Sequence, residues 1–164
     1  MPPANTPPLA LVVCTGNICR SPMAAALLRH HLPPDTPWQV ESAGISAIDG
    51  APASAGAVEA LKEEGIALSP HRSRPVTTDD VRRAAVILAL TRDHRDELLA
   101  QFPGAAQKVF LLRSFDPAAR EDRDVPDPIG STLGVYRHCR DVIAAAIPGL
   151  VEFLEELAPR KEQP

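Results

Sequence analysis

The sequence predicts an α/β fold in which a parallel sheet is wound by right-handed crossovers. Two observations favour this fold: short apolar runs of strand length alternate with helical patterns along the chain, and the first run, Leu9–Val13, is apolar at every position. The length of 164 residues suits one domain with a full core. Because aromatic residues make up only 4% of the chain, aliphatic and alanine side chains must fill that core.

The strands are predicted from apolar, β-branched runs between turn residues. Four such runs are Ala10–Val13, Trp38–Ala43, Ala85–Leu90 and Lys108–Leu112. In an open α/β sheet, ligands bind outside the carboxyl ends of the strands. We therefore expect the residues that follow each run to form any functional site.

The helices are predicted from strong helix formers and from apolar residues at helical spacing. The predicted helices are Pro22–His31, Ser54–Glu64, Asp93–Gln101 and Leu133–Ala158, with a helical turn at Thr78–Arg83 that Thr77 or Thr78 would cap. Pro22 suits a first helical turn, where its missing N–H costs nothing. Pro148-Gly149 should kink the last helix or split it in two.

The composition excludes several classes of protein. A net charge of −4 gives no electrostatic reason to expect nucleic acid or an anionic membrane as a partner. Neither an apolar stretch of about 18 residues nor a signal peptide is visible. Three cysteines, two of them in one loop, do not make a secreted disulfide framework, so we expect a cytoplasmic protein. The proline-rich residues 1–8 are predicted to be a disordered N-terminal tail, and the short segment 159–164 a C-terminal tail.

The loop between the first strand and the first helix combines a nucleophile with anion-binding groups. Cys14 and Arg20 flank five residues, among which Gly16 and Asn17 tolerate positive φ. The N–H groups of the loop and of the first helical turn would converge on an anion. That environment favours a cysteine thiolate, and the planar fork of Arg20 can hold two phosphoryl oxygens. The pattern therefore indicates a phosphate site rather than an inert core thiol.

Two aspartates are candidates for the acid that such a reaction needs. A phosphocysteine mechanism requires an acid for the leaving group and then a base for water. Asp124 and Asp127 both lie on the loop after the last strand. Pro126 and Pro128 bracket Asp127 and restrict its backbone, which gives one carboxylate a rigid mount.

These motifs resemble the low-molecular-weight protein tyrosine phosphatases. The resemblance rests on the segment 12–24 (VVCTGNICRSPMA), on Ser42-Ala43-Gly44 and on Asp127-Pro128, and it covers residues 9–158. It implies a four-stranded, twisted parallel sheet with helices on both faces. It also implies that Cys14 is the nucleophile, Arg20 the phosphate clamp and Asp127 the general acid, with no metal or cofactor. We expect a monomer whose substrate is a phosphorylated protein.

The resemblance assigns further roles around the loop. Phosphate would be bound by Arg20 and by the amides of Thr15, Gly16, Asn17, Ile18 and Cys19. Hydrogen bonds among Asn17, Ser21, Ser42 and His71 would support the loop, and Ile18, Ile48 and Ile129 would line the substrate site. Cys19 would form a reversible disulfide with the nucleophile, the alternative being a small buried filler.

The identity of the phosphorylated group is open in the sequence. Ile18 agrees with the tyrosine phosphatases, whereas Ile129 and Gly130 replace their usual aromatic pair after Asp-Pro. The opening Cys-Thr-Gly-Asn and the Asp-Pro-x-Gly pattern are closer to the bacterial protein-arginine phosphatases, which carry Thr where Ile18 stands. We favour phosphotyrosine hydrolysis through a phosphocysteine, with arginine phosphatase as the alternative.

Other functions fit the sequence less well. An arsenate reductase on this scaffold needs two further cysteines in the middle of the chain, and residues 69–100 contain none. A purely phosphate-binding module has no use for Cys14 together with Arg20 and Asp127. The remaining histidines, His30, His31, His94 and His138, show no ligand pattern, so no metal site is expected. Cys139 is predicted to lie in the core.

Overall fold

Four parallel strands form the centre of the fold in the computed structural model, which describes residues 6–158. The strands are β1 (Leu9–Cys14), β2 (Gln39–Gly44), β3 (Ala84–Ala89) and β4 (Val109–Leu111). Their order in the sheet is β2-β1-β3-β4. All four predicted strands are present, with bounds that differ by one residue at each end. The chain reverses its direction of travel across the sheet after β2, so the carboxyl ends of β1 and β3 flank the crevice where such folds bind ligands.

Strand β1 lies between β2 and β3, and it is buried on both faces because helices cover both sides of the sheet. Its side chains alternate between two hydrophobic clusters, as the pleat of a strand requires. Ala10, Val12 and Cys14 face one cluster, and Leu9, Leu11 and Val13 face the other. This double burial explains why the segment is apolar throughout, and it leaves Cys14 at the end of a rigid strand.

Helices cover both faces of the sheet, which confirms the predicted α/β class. They are α1 (Arg20–His31), α2 (Ala55–Lys62), α3 (Thr78–Arg83), α4 (Arg92–Gln101) and α5 (Leu133–Leu157), with short 3-10 helices at Pro103–Lys108 and Leu112–Phe115. Residues of α1, α2 and α5 belong to one cluster, and residues of α3 and α4 to the other. Helix α3 is capped by Thr77, whose Oγ1 accepts from Asp80 N at 3.1 Å.

Helix α5 continues through Pro148, so of the two expected effects of this proline, a kink or a split, the split is wrong. Its buried stripe, which includes Ile147 and Leu150, extends across the proline and is packed into the core. Pro148 itself is exposed, so the carbonyl that loses its partner lies on the side of the helix that faces solvent. Gly149 lies so close to the 3-10 helix at Leu112–Phe115 that a Cβ would be 2.3 Å from Phe115 O. Tertiary packing therefore outweighs the local proline signal.

Trp38 packs at the opposite end of the sheet, where the amino ends of the strands lie. This side chain is buried, and its Nε1 donates to Leu154 O at 2.7 Å. Pro8, at the end of the predicted tail, accepts from Gln39 N at 2.8 Å and so is joined to β2. The rest of the predicted tails, 1–5 and 159–164, lies outside the described residues. Within 6–158, every helix is too short or too polar to span a membrane.

Candidate active site

Cys14 is buried at the carboxyl end of β1, where the chain enters the Cys14 loop (residues 14–20). Its Sγ lies 2.9 Å from Ser21 Oγ and accepts a hydrogen bond from Asn17 N at 3.3 Å. Helix α1 begins at Arg20, so its N-terminus adds positive potential to the loop. The surroundings of the sulfur therefore favour the binding of an anion beside it.

Asn17 organises the loop from the inside. Its φ of 57° is in the left-handed region, which Asn tolerates better than most residues. Its Nδ2 donates to Ser21 Oγ at 2.8 Å and to Ser42 Oγ at 2.9 Å, while its Oδ1 accepts from Arg74 N at 3.1 Å. His71 Nε2 lies 2.7 Å from the main-chain carbonyl oxygen of Asn17. The structure thus brings the four predicted supporting residues together and adds the Arg74 amide.

The close approach of β2 to the loop explains the Ser-Ala-Gly sequence. Ser42 supplies the hydroxyl that Asn17 binds, and Gly44 lies directly against the loop backbone. A Cβ at Gly44 would be 2.5 Å from Thr15 O, so no side chain fits there. The amide of Ile45 donates to Cys14 O at 2.9 Å, which joins the two strand ends.

Arg20 connects the loop to the segment that carries the candidate acid. Its guanidinium is buried, and Nη1 donates to Val125 O at 3.0 Å. Its Nη2 lies 3.5 Å from Asp127 Oδ2. Its Nε has no hydrogen-bond partner within residues 6–158, so one donor of a side chain that lines the cavity is unused. An anion in the cavity could accept from it.

The two candidate acids lie in different environments. Asp124 Oδ1 accepts from Arg92 N, the first residue of α4, at 2.8 Å, so this carboxylate anchors the loop to the helix. Asp127 is half-exposed at the cavity, and its Oδ1 accepts from Ile129 N at 3.1 Å. The geometry favours Asp127, because only this carboxylate lines the cavity with Cys14.

The cavity beside Cys14 has a volume of about 160 Å³. It is lined by the whole of the loop together with two residues of the acid segment: Cys14, Thr15, Gly16, Asn17, Ile18, Cys19, Arg20, Asp127 and Ile129. Ile48, which was expected to line it, lies outside this set and is 79% exposed. Ile18 and Ile129 are therefore the large apolar side chains of its wall.

The other two cysteines differ in their surroundings. Cys19 Sγ lies 3.2 Å from Ser54 Oγ and 3.6 Å from Tyr136 OH, and all three cysteines are free thiols. Cys139 is completely buried in α5, as predicted, and burial raises the pKa of its thiol to about 12. Cys139 is therefore an inert filler, whereas Cys19 belongs to the Cys14 loop, lines the cavity and has two hydroxyl groups as neighbours.

His94 is a neighbour of the site that sequence reasoning missed. It lies in the first turn of α4, and its Nε2 is 2.8 Å from Thr15 Oγ1. Burial, followed by the charge of Arg20, lowers the pKa of the imidazole to about 4, so it is neutral at pH 7. The available signal was its position, since it follows β3 at the sheet edge that also carries Cys14.

Transfer of a phosphoryl group to a cysteine is the chemistry that this edge of the sheet supports, and the molecule is a cysteine-dependent hydrolase of the α/β class. The chain belongs to the low-molecular-weight phosphotyrosine protein phosphatase family, whose model matches residues 10–162. Known relatives support this placement, and their names fall into two groups, protein-arginine phosphatases and protein-tyrosine phosphatases.

Among curated proteins, the chain is 42% identical over 145 residues to a protein-arginine-phosphatase of Geobacillus stearothermophilus, covering 88% of this chain and 95% of the relative. It is 37% identical over 147 residues to the probable low-molecular-weight protein-tyrosine-phosphatase EpsP of Ralstonia nicotianae, covering 90% and 96%. Among solved structures, the YwlE arginine phosphatase from Geobacillus stearothermophilus superposes with a TM-score of 0.83 at 40% identity, covering 92% of this chain and 95% of that one.

Proposed function

We propose that this protein hydrolyses phosphotyrosine in phosphorylated proteins through a phosphocysteine on Cys14. The observation that carries the proposal is the cavity in which the Cys14 sulfur, the Arg20 guanidinium and the Asp127 carboxylate meet. These groups are a nucleophile, an anion clamp and a proton donor. We place the reaction in the cytoplasm, in keeping with three free cysteines, and on a monomer.

In the first step, the loop amides and Arg20 hold the oxygens of the phosphoryl group. The Cys14 thiolate attacks phosphorus in line and forms the S–P bond as the bond to the leaving oxygen breaks. Asp127, in its protonated form, gives its proton to that oxygen. Positive potential comes from Arg20 and the amides, so the mechanism needs no metal ion.

In the second step, Asp127 acts as a base. It takes a proton from a water molecule, whose oxygen attacks phosphorus as the S–P bond breaks. Ser21 Oγ, which lies 2.9 Å from Sγ, supports the departing thiolate. Inorganic phosphate then leaves, and Asp127 carries the proton needed for the next cycle.

The walls of the cavity support the choice of phosphotyrosine. Ile18 and Ile129 both offer apolar surface to the cavity, which suits a phenyl ring. A guanidinium has polar edges that need hydrogen-bond acceptors. Asp127 is the only carboxylate among the cavity-lining residues, and the proposed mechanism already uses it for proton transfer.

Phosphoarginine is the second candidate substrate, and the relatives favour it. A relative and a solved structure named as arginine phosphatases are 42% and 40% identical to this chain over most of its length. The decisive comparison is kcat/KM for matched phosphotyrosine and phosphoarginine peptides, repeated with Ile18→Thr. We expect the wild type to prefer phosphotyrosine and the variant to shift toward phosphoarginine. A wild-type preference for phosphoarginine would overturn the assignment.

The enzyme chemistry itself is tested with an aryl phosphate and the variant Cys14→Ser. We expect the variant to lose activity and to form no phosphocysteine, since a serine hydroxyl is a far weaker nucleophile here. Cys139→Ala is the matched control, because Cys139 lies in the core away from the cavity lining. Equal hydrolysis by the wild type and Cys14→Ser would refute a role for this thiol.

A further inference from the structure

The contact between His94 and Thr15 joins two strand ends that flank the cavity. Thr15 is the first residue of the Cys14 loop after the nucleophile, and His94 follows β3. Their Oγ1 and Nε2 atoms are 2.8 Å apart although 79 residues separate them in the chain. The His94 amide donates to the cap residue Thr91 at 3.0 Å, so the backbone that carries the imidazole is itself fixed.

The surroundings of the imidazole determine which nitrogen carries its proton. His94 is only 5% exposed, and its Nδ1 has no hydrogen-bond partner among the described residues. A neutral imidazole has one N–H, and the hydrogen bond that it makes selects the tautomer. Orphaned N–H groups are rarer in protein interiors than acceptors without a donor. The favoured form therefore has hydrogen on Nε2 and donates it to Thr15 Oγ1.

This direction of donation has a consequence for the Thr15 hydroxyl. A hydroxyl has one hydrogen and two acceptor lone pairs, and His94 occupies one lone pair. The hydrogen of Thr15 is then not used in this contact. Thr15 lines the cavity, is exposed, and follows the nucleophile directly in the chain.

We propose that His94 is a positioning residue of this phosphatase, which acts by holding Thr15 so that the threonine hydroxyl donates to an oxygen of the bound phosphoryl group. The threonine then adds a side-chain donor to the amides of the loop and to Arg20. His94 acts only through Thr15 and touches no substrate atom. The inference rests on the proposed chemistry at Cys14, and its test separates the two.

The first test is a double-mutant cycle of Thr15→Val and His94→Leu with an aryl phosphate. Loss of one hydrogen bond to a charged group corresponds to a decrease in kcat/KM of about 10- to 100-fold. We expect each single variant to show a decrease in this range. The double variant should have a kcat/KM no lower than that of the less active single variant. Thr15→Ser and His94→Gln keep the hydroxyl and an N–H donor, so they should recover most of the activity.

The second test measures the affinity for inorganic phosphate by calorimetry, which needs no turnover. Thr15→Val and His94→Leu should weaken phosphate binding about 10-fold, whereas His138→Leu, which removes an exposed histidine from α5, should leave it unchanged. Losses that are additive in the cycle, or unchanged phosphate affinity in both single variants, would overturn the proposal. Both readings are taken below the unfolding temperature of every variant, so that lost stability is not mistaken for lost positioning.

The third test reads the tautomer directly from long-range ¹H–¹⁵N spectra of the imidazole. We expect a proton on Nε2 and none on Nδ1 between pH 5 and 8 in the wild type. A proton on Nδ1 would refute the proposed direction of donation. Because the spectrum and the phosphate affinity do not depend on catalysis, they decide this inference even if the wild type fails to hydrolyse a phosphate, which would refute only the chemistry at Cys14.

Discussion

Arg20 donates from Nη1 to the main-chain carbonyl of Val125 at 3.0 Å, across 105 positions of the chain. Val125 lies two residues before Asp127, and its own amide donates to Leu90 O at 2.8 Å. The side chain that is proposed to hold the phosphate therefore also fixes the segment that carries the acid. As a result, the distance between nucleophile and acid is set by contacts within the protein and needs no substrate to establish it.

The role of Asp127 predicts a dependence on the leaving group. Asp127→Asn should reduce the rate of the first step by about 10²- to 10⁴-fold for poor leaving groups, since a positioned acid contributes that much. Good leaving groups need less protonation and should be affected less. The measurement is a series of aryl phosphates of increasing phenol acidity. Equal slowing across the series would contradict the assignment.

Asp124→Asn distinguishes the rival acid. An asparagine keeps an oxygen that can accept from Arg92 N, so the anchor to α4 should survive and activity should change little. If Asp124→Asn instead reproduced the leaving-group dependence of the other variant, Asp124 would be the acid.

The hydrogen bonds of Asn17 predict a difference between two substitutions at that position. Asn17→Ala removes two donated hydrogen bonds and one accepted hydrogen bond, each worth about 0.5–1.5 kcal/mol. It also places alanine, which disfavours positive φ, at a φ of 57°. Asn17→Gly loses the same bonds but tolerates the positive φ. We expect both variants to unfold at lower urea, with the alanine variant less stable by about 1 kcal/mol. Equal stability of the two would show that the backbone conformation is not strained.

The low pKa of His94 predicts a loss of stability in acid. The imidazole has a pKa of about 4 in the folded protein, against 6.5 ordinarily, so the unfolded chain binds the proton first as the pH falls. The stability that depends on neutral His94 is therefore fully present above pH 6.5 and is lost between pH 6.5 and about 4. This loss lowers the free energy of unfolding by roughly 3 kcal/mol. Urea unfolding across this range should show a smaller decrease for His94→Gln than for the wild type. Parallel curves would contradict the shift.

Two glycines in α5 provide a matched pair for the packing of this helix. Gly149→Ala would place a Cβ 2.3 Å from Phe115 O, so either the helix or the neighbouring 3-10 helix must move, at a cost of about 1–3 kcal/mol. At Gly134 the nearest atom would be Thr132 Oγ1 at 3.8 Å, and alanine there should be neutral or stabilising by up to about 1 kcal/mol. Thermal unfolding of the two variants checks this difference, and a neutral Gly149→Ala would mean that the contact yields easily.

The sequence carries enough local information to predict the sheet, because each strand is marked by burial on one or both faces. Strand β1 is apolar throughout since both of its faces are buried, and this pattern needs no knowledge of the rest of the chain. Helix α5 was harder to predict. Its proline suggests a break, but the apolar stripe that continues past Pro148 is packed against the core and keeps the helix whole.

Within the site, the sequence identifies residues whose motif is local and misses those that only the fold brings close. Cys14 and Arg20 lie in one loop, so their spacing alone is informative. The His94–Thr15 contact depends on the register of β1 beside β3, which no short pattern encodes. The position of Ile48, on the surface away from the cavity lining, likewise depends on how the segment after β2 turns.

Trp38 is an intrinsic fluorescent probe of the folded state. It is the only tryptophan in the chain, it is buried, and its indole N–H is bound to Leu154 O near the end of α5. It also lies at the amino ends of the strands, opposite the edge that carries Cys14. Its fluorescence should therefore report detachment of the C-terminal helix and solvent entry, with little direct contribution from substitutions around the nucleophile. A single emission spectrum can show whether an inactive variant is still folded.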